Sequence, residues 1–282
     1  MTLRRIRTIS AAIFFTLITL LLLDFTDATH ACLGWMARVQ FLPAVLAANV
    51  AVVAALVLLT LIFGRIYCSV ICPLGVMQDV ISRLRGKKAR RRFTYSRALT
   101  VLRVAVLALF VAALVAGMGS MVALLAPYST YGRIAGSLLQ PLYLLANNGL
   151  AAIAAHYDSY AFYSVDVWLK SGVTLGVAAA ALLVIGTLAW RGGRTWCNTV
   201  CPVGTVLGYL ARFALLKVRF RPEKCRACSL CTRSCKASCI DYTTHSVDYT
   251  RCVVCGNCLS ACRHGALTYA PRLKQSASAD ST

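Results

Sequence analysis

Four apolar runs dominate the chain: Thr8 to Leu23, Phe41 to Phe63, Val104 to Ala126 and Val173 to Trp190. Measured against the roughly 20 residues that carry an α-helix across a bilayer, each predicts a membrane span, the first being the shortest. Between the last two lies Pro127 to Gly172, moderately apolar but interrupted by Gln140, Pro141, Asn147 and Asn148; it reads as interfacial or re-entrant helices covering the outer ends of the spans. After the second and fourth runs, "PLGVMQDVISRL" and "PVGTVLGYLARFALL" carry apolar residues at helical spacing, such as Leu74, Met77, Val80, Ile81 and Leu84. They predict short amphipathic helices along the inner interface. From Arg219 the pattern turns polar, cysteine-dense and loop-like as far as Ala270, and the closing "QSASADST" has the composition of a disordered tail.

Composition supports the membrane reading, with 59% hydrophobic and only 14% charged residues. Charge then sets orientation, because Lys and Arg accumulate on the cytoplasmic side. Of 30 basic residues, three precede the first run, nine lie in Arg65 to Arg97 and fourteen follow Trp190. The two remaining loops hold Arg38, Arg133 and Lys170, and Arg103 sits at the inner end of the third run. An N-in, four-span, C-in topology puts 26 basic residues inside and three outside. A cleaved signal peptide starting at Arg4 to Arg7 is a weaker alternative, since Thr29 and His30 suit no cleavage site, and it would leave the sidedness unchanged. The net charge of +21 and the run "RLRGKKARRR" are accounted for by topology and contact with anionic lipid headgroups, not by nucleic acid.

Against this background one string is written twice, "GRIYCSVICPLG" from Gly64 and "GRTWCNTVCPVG" from Gly193, at a constant offset of 129 residues. Each closes a two-span hairpin, so the membrane part reads as two parallel repeats about an approximate two-fold axis along the membrane normal. Pro73 and Pro202 suit the first helical position and make Cys72 and Cys201 N-caps, where the helix dipole is expected to lower their pKa. Under the two-fold, Cys68, Cys72, Cys197 and Cys201 converge, as ligands of a third cluster or metal, as redox-active thiols or as turn-shaping residues. Arg65 and Arg194 either offset the thiolates or mark the inner boundary.

The C-terminal segment holds Cys225-x2-Cys228-x2-Cys231-x3-Cys235 and Cys252-x2-Cys255-x2-Cys258-x3-Cys262. Such spacing turns three thiolates toward one cube while the fourth reaches the other. That assigns Cys225, Cys228, Cys231 and Cys262 to one 4Fe-4S cluster, and Cys252, Cys255, Cys258 and Cys235 to a second. The pattern resembles the double-cluster bacterial ferredoxins, and the clusters explain how so short a segment folds. Zinc does not need the third Cys, and disulfides suit poorly a reducing cytoplasm. Lys236 and Arg263 stand where Pro is usual; their charge beside a cluster is expected to raise its potential. Cys239 has Ala266 as its counterpart and is either a spare ligand or a small buried residue.

With these features together, the chain resembles the NapH-type membrane ferredoxins and is similar to the membrane halves of NosR-like and CcoG-like proteins. The expected fold is an all-α integral membrane four-helix unit of two parallel two-span repeats (1–218), then a small α+β double-cluster ferredoxin module (219–270) and a tail (271–282). The expected location is a bacterial cytoplasmic membrane, multi-pass, with both termini cytoplasmic. The resemblance implies a membrane-bound electron-transfer protein, possessing two 4Fe-4S clusters, that exchanges electrons between the quinol pool and a partner redox protein. Asp24, Asp27, His30, His156 and Asp158 are the candidate proton acceptors for quinol on the outer side, whereas Cys32 reads as structural. The alternative is a redox-sensing or copper-reducing, metal-handling membrane protein.

Overall fold

The computed structural model describes residues 3–24, 28–85, 93–157, 163–167 and 171–271. The closing tail, Asp27, Asp158 and most of "RLRGKKARRR" lie outside the described residues. Helix α1 (Leu3–Leu23) begins five residues before the apolar run, so that Arg4, Arg5 and Arg7 belong to its first turns. Short helices α2 (Ala28–Leu33) and α3 (Trp35–Arg38) follow it.

The second and third apolar runs are not single helices. The second divides into α4 (Phe41–Leu46) and α5 (Val50–Phe63), at a turn where Ala48 has φ +49° and the Asn49 side chain accepts the Val52 N–H to cap α5. The third divides into α8 (Thr100–Val115) and α9 (Gly119–Leu125) at Gly117, φ +71°. Hydropathy is blind to both breaks, since small residues, with Asn49 alone among polar ones, barely change its mean.

The segment after Ala126 also departs from expectation. It forms one 30-residue helix, α10 (Pro127–His156), which with α1 and α11 (Gly172–Gly192) is long and apolar enough to cross a membrane. A π-helical turn at Ala135–Leu139 ends one residue before Pro141, which has no N–H to offer, so the ladder is re-spaced instead of broken. Asn147 and Asn148 turn their amides outward, onto the Tyr163 carbonyl at 3.0 Å and the Val165 carbonyl at 2.7 Å. Polar residues that read as interruptions are therefore tethers for the following loop.

Helix α6 (Ile66–Val70) and α7 (Pro73–Leu84) follow α5, and α12 (Thr195–Thr199) and α13 (Pro202–Ala211) follow α11. The expected interfacial placement of α7 and α13 is corrected by their burial: Leu74, Gln78, Asp79, Gly204 and Leu207 are all in the interior. Each packs across the molecule, α7 against α11 and α13 against α5, while α1 lies on α6 and α7 and α8 lies on α12 and α13. The strands β1 (Leu216–Phe220) and β4 (Leu267–Pro271) pair antiparallel, Leu216 opposite Pro271, and close the C-terminal module, so its sheet starts before Arg219. Within it stand α14 (Leu230–Ser234), the two-residue pair β2 (Ile240–Asp241) with β3 (Ser246–Val247), and α15 (Asn257–Ala261).

Candidate functional site

The doubled string is explained position by position. Gly64 and Gly193 end α5 and α11 with φ +77° and +72°, a conformation that costs glycine little. The arginine after each glycine is fully buried and reaches into the opposite string: Arg65 Nη2 donates to the Cys197 carbonyl at 3.2 Å, and Arg194 Nη1 donates to the Cys68 carbonyl. Neither arginine marks a boundary. Pro73 and Pro202 open their helices, with Cys72 and Cys201 as N-caps. The last glycine makes room for the crossing arginine: a Cβ on Gly204 would lie 2.9 Å from Arg65 Nη2, one on Gly75 would lie 3.0 Å from Arg194 Nη1, and each would strike the carbonyl of its own string's first cysteine. Gly204→Ala is expected to cost about 1–3 kcal/mol as overpacking, read as a lower thermal midpoint in detergent; an unchanged midpoint would show that the helix can slide.

Cys68, Cys72, Cys197 and Cys201 are all buried. Gln78 Nε2 donates to Cys197 Sγ at 3.1 Å, Arg65 Nη2 to Cys68 Sγ at 3.9 Å, and Gly204 N to Cys201 Sγ at 3.3 Å. The expected lowering of the N-cap thiols does not hold for the bare chain. Burial, then the neighbouring thiols, push Cys72 and Cys201 up, outweighing the helix N–H groups. Burial also raises Cys197, against Arg194 and Arg65. Cys72, Cys197 and Cys201 would become thiolates more readily beside a cationic metal.

The surroundings fit an iron-sulfur group, which carries net negative charge on its sulfurs. Arg65 is fully buried yet takes part in none of the ion pairs among the described residues, and a buried charge needs a counter-charge. Its Nε and the indole Nε1 of Trp196, next to Cys197, are buried donors without a partner, suited to N–H···S bonds. Among the described residues no three His, Cys, Asp or Glu side chains gather closely enough for a single metal ion; a cube separates its thiolates more widely.

In the C-terminal module, one cavity is lined by Cys225, Cys228, Cys231 and Cys262, together with Phe220, Tyr242 and Leu267. Of these cysteines Cys228 is exposed and faces outward. Cys235, Cys255 and Cys258 are buried and Cys252 is partly so. Cys255 shares one hydrophobic core with Cys68, Cys72 and Cys201, so the inner half of the module abuts the membrane-side quartet.

Two loops make that docking. The loop after Cys235 meets the second string, where Arg194 N donates to the Lys236 carbonyl at 2.8 Å and Asn198 Nδ2 to the Ala237 carbonyl at 3.3 Å. The loop before Cys252 meets the first string and α8: Arg65 Nη1 donates to the Thr250 carbonyl at 2.8 Å, and Arg103 Nη1 of α8 to Thr250 Oγ1 at 2.9 Å.

At the centre of the docking stands a residue the motif reading missed. Asp79 on α7 is buried and pairs with three cations, Arg7 of α1, Arg194 Nη2 at 2.7 Å and Lys236 Nζ at 2.5 Å. Burial would raise its pKa, but Arg194, Lys236 and Arg7 hold it well below the usual carboxylate range. Lys236, whose charge was expected to raise the potential of a cluster, is also matched by a carboxylate; burial, against the pull of Asp79, lowers it to about 8. The sequence carried a signal: Asp79 is the only acid between Asp27 and Asp158.

Among the described outer-side candidates, no contact joins Asp24, His30 and His156. Asp24 Oδ2 accepts from Thr29 N at 2.8 Å and from Thr29 Oγ1 at 2.6 Å, a local turn. The His156 ring meets Tyr157 edge-on, and Cys32 is exposed on α2. Closer to the quartet, the buried Tyr67 hydroxyl donates to Gln40 Oε1 at 2.9 Å and accepts from Phe41 N at 3.0 Å.

Comparison with known proteins agrees with this chemistry. A family described as "4Fe-4S binding domain" matches residues 45–92 and 173–222, each stretch taking in one of the doubled strings, and a second family of the same description matches 245–268. An uncharacterized protein of Methanocaldococcus jannaschii is 35% identical over 35% of this chain and 39% of its own length. The methylamine utilization ferredoxin-type protein MauN of Paracoccus denitrificans is 26% identical over 62% of this chain and 49% of its own. The ferredoxin-type protein NapH of Escherichia coli is 27% identical over 82% of this chain and 70% of its own. The chain spans about half the length of several curated relatives it matches, and no solved structure matches. The doubled cysteine strings, the eight-cysteine pattern and these relatives together make the chain similar to the NapH- and MauN-type ferredoxin-type proteins, with 4Fe-4S binding domains matched over both strings and the end of the module.

Proposed function

We propose that the protein is a multi-pass carrier in a bacterial cytoplasmic membrane that passes electrons between the quinol pool and a partner redox protein. The route runs through a cluster at Cys68, Cys72, Cys197 and Cys201, then the cluster of Cys235, Cys252, Cys255 and Cys258, then the cluster of Cys225, Cys228, Cys231 and Cys262. The observation that carries it is the single hydrophobic core holding Cys255 with Cys68, Cys72 and Cys201, which makes the first two sites neighbours. The third quartet lies at the opposite, exposed end of the module, where a partner can approach.

The scaffold is read as two parallel two-span repeats with both termini cytoplasmic. Support comes from the exchanged contacts, α7 on α11 and α13 on α5, from the exchanged arginines, and from the distribution of basic residues. Helix α10 starts against α1, Tyr131 hydroxyl to Thr19 at 2.6 Å, and its far half exposes Leu142, Leu145, Leu150 and Ile153. It is read as a helix bedded in the outer leaflet, which keeps the number of crossings even. When bound, the clusters supply one-electron chemistry; the chain's own residues bury them, hold their thiolates and donate N–H groups to sulfur.

Purified anaerobically, the full chain is expected to contain about twelve irons, against about eight for Cys68→Ser/Cys197→Ser, and to be reduced by a quinol analogue. Equal iron in the two proteins would remove the membrane-side cluster. Copper binding at the four thiols without quinol turnover would instead favour metal handling.

A further inference from the structure

The inner half of the ferredoxin module holds one sulfur too many. Cys239 is 1% exposed, and its Sγ lies 3.5 Å from Cys235 Sγ. Both belong to the core that contains Cys231 and Cys258, with Cys252 packed against it. The chain is folded to bring it there. Ser238 adopts φ +51°, turning the backbone back after Lys236, and the Cys239 carbonyl is fixed by Asp248 N at 2.8 Å. Its counterpart in the other half of the module is Ala266, so only one cube has this neighbour.

Thiolates on different irons of a cube stand well apart, at its corners. Two sulfurs in contact address the same corner. We propose that Cys239 is a second, interchangeable ligand for the iron otherwise held by Cys235, so that this corner of the inner cluster can change thiolate without losing its iron. The exchange is balanced: one iron–sulfur bond breaks at Cys235 as another forms at Cys239, the proton on Cys239 passes to Cys235 across their contact, and no electron is gained or lost. The sulfur contact within hydrogen-bond reach of Cys239 is with Cys235, and Cys252 keeps its own corner. The assignment rests on the double-cluster reading of the module.

The test uses the full chain, purified anaerobically, with iron per chain and the EPR spectrum of the reduced protein as readouts. Cys235→Ser is expected to keep the iron content of the wild type with an altered spectrum, whereas Cys235→Ser/Cys239→Ser loses about four irons. Equal loss in the single and double variants overturns the proposal. Cys239→Ala alone is expected to keep its iron and to shift the spectrum of one cluster, because the neighbouring thiol that competes for the corner is gone; an unchanged spectrum, or loss of iron in this variant, also overturns it. A wild type lacking the module's eight or so irons would fail the double-cluster reading itself, a result separable from any difference among the variants.

Discussion

Asp79→Ala is expected to cost the protein its docked module. The substitution leaves Arg7, Arg194 and Lys236 buried with no anion between them. Removing one partner from a buried ion pair typically costs about 3–5 kcal/mol, and here one carboxylate serves three cations from three parts of the chain. Because the pairs join α1, the second cysteine string and the loop after Cys235, the loss falls on the interface and not on one helix. The expected readouts are a large fall in thermal midpoint in detergent and new protease cuts at the loops that meet the strings. Asp79→Asn keeps hydrogen-bond acceptance but not charge and is expected to fall between. Lys236→Met added to Asp79→Ala should recover part of the loss, since it removes a stranded charge. A wild-type midpoint for Asp79→Ala would mean that water reaches the three cations freely.

Removing iron is expected to unfold the C-terminal module while leaving the apolar helices intact. The module has two-stranded sheets and two five-residue helices, and pairs of strands and single turns of helix are not stable alone. Its core is made largely of cysteines, among them Cys231, Cys235, Cys239 and Cys258. Without iron these are small, weakly cohesive side chains around a space. Chelation under reducing conditions should therefore uncover the buried Arg251 and loosen the backbone at the surface residues Arg226, Arg233 and Arg263, making all four trypsin sites with little loss of helical circular dichroism. A module that stays resistant once iron-free would be held by polypeptide packing alone.

Much of the site could be read from spacing because the chemistry is local. The ferredoxin cysteines lie two or three residues apart, and the doubled string repeats its frame without a gap, so neither needed a fold to be seen. What stayed hidden depends on pairs distant in sequence. Asp79 is 115 residues from Arg194, and the Arg65 contact with Thr250 spans 185 residues; no window on the sequence contains both. The breaks at Ala48 and Gly117 were hidden for another reason, since a turn made of Ala, Gly and Asn inside an apolar run leaves mean hydropathy almost unchanged. Burial of α7 was misread because its polar residues Gln78, Asp79 and Ser82 suggested a wetted face; they face buried partners instead, and only Val80 and Leu84 of its apolar residues stay exposed.

The crossing of Arg65 and Arg194 has a consequence for biogenesis. The turn carrying Cys68 is finished by a guanidinium that the ribosome delivers 126 residues later, so the first pair of thiols emerges with its backbone incompletely braced. Were the four thiols to hold a cluster, as proposed, its full ligand set would exist only after both halves were made, a chain stalled before Arg194 offering Cys68 and Cys72 alone.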